Sequence, residues 1–278
     1  MSLPNQLIGD ASHYIGECFD IGKPFLDYQV THTPPLTRFV SAQLFIDNVL
    51  TGESILILLS HGKFWDTEIL LRTIYEGSMK FAYILENRDA SEERANEYYH
   101  VLTNHNSVKR SNRLEAMLEE SNIPDEKSEV FKKITISEEE QKLIRDGTNK
   151  SARKSLEDRW SFNGLLHYFS NLGDPRYTLF KNLTYQYGMA SHLIHKDGDG
   201  IGMVWERSQR SKEEKQAIQV SQSARILGDL CQFAGLRLSF LLNYHQEDSD
   251  ALKALDEKYA DLFEEISEYN KFNSADFS

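Results

Sequence analysis

LTRFVSAQLFIDNVLTGESILILLS, residues 36–60, is the stretch on which the fold turns. It is long, apolar and free of internal proline, which suits a helix better than a strand. Pro34 and Pro35 introduce it, and proline is tolerated in a first helical turn because its missing N–H would be unpaired there anyway. His61-Gly62 ends it, since glycine adopts the left-handed conformation that closes helices. A second helix follows at once over about 64–87, so the two are expected to pair as an antiparallel hairpin.

Working outward, helical spacing continues. A weak helical segment covers 5–29, and a long polar helix opens at Ser91 and reaches about Leu118. Ser137 with Glu140, and Ser211 with Glu214, have capping-box spacing, while Asp174-Pro175 starts a helix of about 175–196. The helix opened by Ser211 runs to about Tyr244, and a last one covers about 249–269. Only GIGMVWE, 200–206, reads as extended. The expectation is an all-α multi-helix bundle, one helical domain over 1–278. Its core bundle spans about 35–245, with a helical insertion at about 120–160 and an acidic C-terminal helix over 246–278.

Charge narrows the partners. The chain of 278 residues carries a net charge of −12, and residues 246–278 hold ten acidic against three basic residues. A face for duplex DNA is not expected, because phosphate contacts need clustered Lys and Arg. The basic patches at Lys109, Arg110 and Arg113, and at Lys150, Arg153, Lys154 and Arg159, are balanced by nearby acids and read as solvated helix faces. Cys18 and Cys231 form no motif and read as reduced thiols. The start MSLPNQLIGD has no apolar leader, and the run SILILLS is far too short for a bilayer of about 20 apolar residues. A cytoplasmic protein without membrane association is expected.

Two stretches carry chemistry. In SHLIHKDGDG, 191–200, Tyr187, Ser191 and His195 recur every four residues and share one helix face, with Gly188 beside them. A glycine inside a helix suggests close approach of another group. His195 has a side chain suited to acid or base catalysis, with Tyr187, Ser191, His192 and Lys196 as binding neighbours. The plainer alternative is a helix end, where His195 and Lys196 complement the dipole before a polar turn. His192 and His195 lack further ligands, so no metal is expected. In LLRTIYEG, Arg72 and Glu76 are four apart, and Lys80 follows. They read either as a surface ion-pair row or as an arginine oriented by Glu76 to clamp a phosphate. No nucleotide or cofactor motif occurs, and no cofactor is expected.

ILLRTIYEGSMKFAYIL, 69–85, followed by YGMASHLIHKD, 187–197, resembles a bacterial family of unknown function, DUF5677. Leu70, Leu71, Arg72 and Glu76, then Ser191 and His195, match its recurring features. The resemblance implies a helical fold and assigns no reaction. More distantly, the helical plan is similar to the HEPN superfamily, whose nucleases cleave RNA in toxin and phage-defence systems. Those enzymes place an arginine, then four to six residues, then a histidine on one helix. Here Arg237 and His245, and Arg159 and His167, are eight apart, so Arg72 would have to serve from another helix.

Two functions are therefore expected of such a chain. One is a regulatory or association module, linked to stress or phage defence, acting as a homodimer or with a protein partner. The other is a metal-independent RNase-like or phosphoester-acting enzyme on single-stranded RNA, using His195 as acid/base, Arg72 as clamp and Glu76 as its orienter.

Overall fold

The computed structural model describes residues 3–120, 129, 131, 133, 135–147 and 149–275, the last five by backbone alone. It is an all-α bundle, with no strand among the described residues. The hairpin of α2 (Pro35–Ser60) and α3 (Phe64–Leu85) follows α1 (Asn5–Gly22). Gly62 turns it at φ +68°, with Gly62 and Lys63 N–H donating to the Leu59 and Leu58 carbonyls. A polar helix continues as α4 (Ser91–Asn96), a π-turn at Glu97–Val101 and α5 (Leu102–Glu120). At that turn Glu97 accepts from the Trp160 indole and from Arg159.

Next come α6 (Glu138–Asp146), α7 (Lys150–Arg159) and α8 (Phe162–Leu172). The first two fall within the expected insertion of about 120–160, part of which lies outside the described residues, and α8 follows it. A short 3-10 turn at Pro175–Tyr177 leads into α9 (Thr178–His195), and α10 (Gly198–Gln209) follows. The long α11 (Lys212–His245) packs on α1, α2, α3 and the C-terminal pair. That pair is α12 (Asp250–Lys258) and α13 (Ala260–Ala275), where one helix was expected. The break falls at Tyr259, whose hydroxyl, like the neighbouring Lys258 ammonium, bonds Glu17 on α1. Both capping boxes form, at Ser137 and at Ser211.

Two expectations are corrected. Residues 200–206 are helical, not extended. Asp197 accepts from the Gly200 N–H and starts α10, which supplies its own backbone hydrogen bonds, whereas a lone strand would have no neighbour to pair with. The apolar run of α2 was also undercounted. Over an 18-residue window this helix is long and apolar enough to cross a membrane by length and composition, yet only 39% of that window is buried in the bundle. Helix α2 is thus apolar on its outward side as well as its core side.

Candidate functional site

Arg72 and Glu76 stand one turn apart on α3, where α9 crosses it, and Arg72 Nε donates to Glu76 Oε1 at 3.2 Å. The third member comes from α9. Tyr187 receives a hydrogen bond from Arg72 Nη2 at 2.6 Å and donates to Glu76 Oε1 at 2.8 Å. The guanidinium carbon lies 4.2 Å from the Tyr187 ring centroid, and Phe162 stacks on the same ring at 3.5 Å. Burial, then the bond to Glu76, raises the Tyr187 pKa. Lys80 Nζ completes the row 3.6 Å from Glu76.

This row borders an open cleft of about 680 Å³ between α2, α3 and the end of α9, with Ile46, Asp47 and Leu50 across from it. Its charges are two cations, Arg72 and Lys80, against two carboxylates, Glu76 and Asp47. Arg72 is held flat on Tyr187 with two of its nitrogens engaged, which makes it a tie between α3 and α9. An empty bidentate fork would leave those donors to a ligand.

The other expected site residues form no hydrogen bond with this row, although Ile194, next to His195, lines the same cleft. His195 is exposed at the end of α9 and makes no hydrogen bond with Arg72, Glu76 or any other described residue. Eight residues separate it from Tyr187, about 12 Å of helix rise. Ser191 is half-buried without a hydrogen-bond partner among the described residues. Lys196 closes α9 in the left-handed conformation, φ 52°. His192 Nδ1 lies 2.7 Å from Asp197 Oδ2, and that bond raises its pKa. Gly188 meets nothing within 4 Å of an added Cβ, so no group approaches it closely. The close approach is at Gly200 instead, where a Cβ would strike the His192 carbonyl. SHLIHKDGDG is therefore a helix end, a left-handed turn and a helix start. Among the described residues, no three His, Cys, Asp or Glu side chains are grouped to hold a metal ion.

Sequence reading missed the buried polar groups of α11. Arg237 is fully buried and donates to Ser78 Oγ at 2.8 Å, to the Ile74 carbonyl at 3.2 Å and to the Leu44 carbonyl. Burial pulls its pKa down to about 9, against the pull of Asp47. Gly77 makes room for it, since a Cβ there would lie 2.7 Å from Arg237 Nη2. About three turns earlier, Arg225 bonds Asp229 at 2.7 Å and Glu68, and Tyr75 donates to Asp229 at 2.7 Å. The available signal was a pair of charged residues inside GDLCQFAGLRLSFLL, opposite Gly77 on α3.

A profile described as a family of unknown function (DUF5677) matches residues 38–213, more than half of the chain. No curated protein and no solved structure matches it.

Proposed function

The chain belongs to the DUF5677 family of unknown function, and from that premise we propose that it is a self-associating helical module, pairing with a second copy of itself along α2. One observation carries the proposal. Among the exposed positions of α2, Phe39, Gln43, Ile46, Leu50, Glu53 and Ile57 are spaced alternately four and three residues, with exposed Asp47 and Ser54 beside them. That is the spacing of a coiled-coil seam. Its apolar members are open to solvent: Phe39 by 45%, Ile46 by 43%, Leu50 by 58% and Ile57 by 61%.

The seam is also symmetric about position 48. Laid antiparallel on a second copy, Phe39 faces Ile57 of the partner subunit, and Ile46 faces Leu50 of the partner subunit. Gln43 then faces Glu53 of the partner subunit, so that carboxylate meets a hydrogen-bond donor. A two-fold interface requires this kind of self-complementary patch. The seam runs about 27 Å along a helix about 10 Å wide. The neighbouring cleft, with two cations and two carboxylates, adds no net repulsion, although the chain as a whole carries −12. The enzymatic alternative with single-stranded RNA draws less support, because no hydrogen bond joins the His195 side chain to the Arg72–Glu76–Tyr187 row.

Sedimentation at micromolar concentration tests the pairing. A dimer that Leu50→Glu converts to monomer is the expected result. Mixing Ile46→Cys protein with Leu50→Cys protein tests the register, and should give a crosslinked heterodimer faster than either variant crosslinks with itself. A monomeric wild type overturns the proposal, and so does a dimer indifferent to Leu50→Glu. Capture by phospholipid vesicles that Leu50→Glu abolishes would assign the face to a membrane instead.

A further inference from the structure

At the far end of the α2–α3 hairpin, away from the seam, we propose a binding site for a small phosphate-bearing ligand with at least two negative charges. The site is a cavity of about 420 Å³, enclosed by the Gly62 turn, the start of α3, the end of α10 and the start of α11. Cavities of 300–1,000 Å³ are the usual size for small ligands.

Four cations line it: Lys63, Arg207, Arg210 and Lys215, against one lining carboxylate, Asp66. In a chain with 43 acidic and 31 basic residues, such a concentration runs against the general balance. Two of the four are partly engaged. Arg210 pairs with Glu206 at 2.7 Å, and Lys215 Nζ donates to the Ser208 carbonyl at 2.9 Å, with donors to spare on both. Lys63 is exposed and makes no side-chain hydrogen bond among the described residues.

Arg207 is the strongest pointer. Its guanidinium lies over the Trp65 ring, and its Nη1 is buried with no hydrogen-bond partner. A buried donor without an acceptor is costly, and native structures rarely leave one so. Burial, with Arg210 adding to it, pulls its pKa down to about 10, as befits a cation short of counter-charge. Glu68 and Glu206 offset this only in part. An anion in the cavity would supply the missing charge, and an acceptor for Nη1 once the guanidinium turns toward it. Phe64, Trp65 and Asp66, the first turn of α3, face the same space, and no side chain caps that helix. Four cations around one space match a diphosphate better than a single phosphate, because a longer anion reaches more of them.

Calorimetric titration of the full chain with inorganic pyrophosphate is the test, against potassium chloride at matched ionic strength. Wild type should bind, and orthophosphate should bind more weakly. Lys63→Gln and Arg207→Gln should each weaken pyrophosphate about tenfold or more, the loss of one charge-assisted contact. Lys63 is exposed, so its variant stays interpretable if Arg207→Gln unfolds. Lys109→Gln, on a remote basic stretch, should leave the affinity unchanged. Three results overturn the site: no binding at millimolar pyrophosphate, equal affinity in wild type and Lys63→Gln, or equal weakening by Lys109→Gln. Equal affinity for orthophosphate and pyrophosphate would overturn the multi-cation reading.

Discussion

Two arginines, Arg225 and Arg237, lie along α11 where it packs on α3, while two histidines and a lysine crowd the corner between α9 and α10. Along α11, besides Arg225's bonds to Gln222 and Asp229 on its own helix, the guanidinium groups reach Glu68 and Ser78 on α3 and the Leu44 carbonyl on α2. Burial works against the charge on Arg225, but Glu68 and Asp229 outweigh it and raise its pKa. At the corner, by contrast, His195 and Lys196 are exposed, and His192 engages near neighbours in sequence, Asp197 at 2.7 Å and Asp199 at 3.9 Å. The region densest in chemical side chains is surface punctuation, and the polar groups that fix helix packing sit in a sequence that looks like plain core.

If that contrast is right, the largest effect comes from breaking the α11 cluster. Asp229→Ala leaves Arg225 with one carboxylate and the Tyr75 hydroxyl with none, and should cost about 3 kcal/mol of stability in urea unfolding. Equivalent stability to wild type would show that Glu68 alone suffices. Next comes Gly77→Ala, whose new methyl would collide with Arg237 Nη2; about 1–3 kcal/mol should be lost.

A pH series separates the regions by sign. Near the end of α11, His245 Nδ1 lies 3.0 Å from His32 Nε2. Burial, then His32 and Arg88, lower its pKa from 6.5 to about 4. The unfolded chain therefore takes up this proton first. The stability tied to His245 is complete above pH 6.5 and is lost as pH falls toward 4. Allowing for solvent screening of a half-buried ring, the loss is about 1–2 kcal/mol. His192 runs the other way: its raised pKa adds stability that is present below the unfolded value and fades as pH rises through the folded one. Unfolding at several pH values should show His245→Gln flattening the acid limb alone.

The smallest effect is Gly188→Ala on α9. With open space at the added Cβ, it should raise stability by about 0.4–1 kcal/mol in thermal unfolding. A loss instead would mean that a partner closes on Gly188.

Parts of the candidate site were legible and parts were not. Arg72 and Glu76 pair through helical spacing, which any helix imposes on residues four apart. Tyr187 joins them across 111 residues, so the sequence could group it with Ser191 and His195 but not with Glu76. His195 shares a helix with Tyr187 two turns on, next to Ile194 at the edge of the same cleft, but its side chain forms no hydrogen bond with the row. The strand expected at 200–206 failed for a local reason: Asp197 caps the segment into a helix, and apolar alternation alone does not outweigh that.

Local rules, then, determined what lies within one turn or one connection: the α2–α3 hairpin with its Gly62 stop, the two capping boxes, and the all-α class. Hydrogen bonds and caps of that range depend on neighbours in sequence, so a sequence displays them. Which arginine is buried, which carboxylate answers it, and which cations meet around one cavity were decided by tertiary packing. Those groups meet only once α3, α9, α10 and α11 have been laid against one another, and burial rather than residue type sets their charge, their partners and their cost.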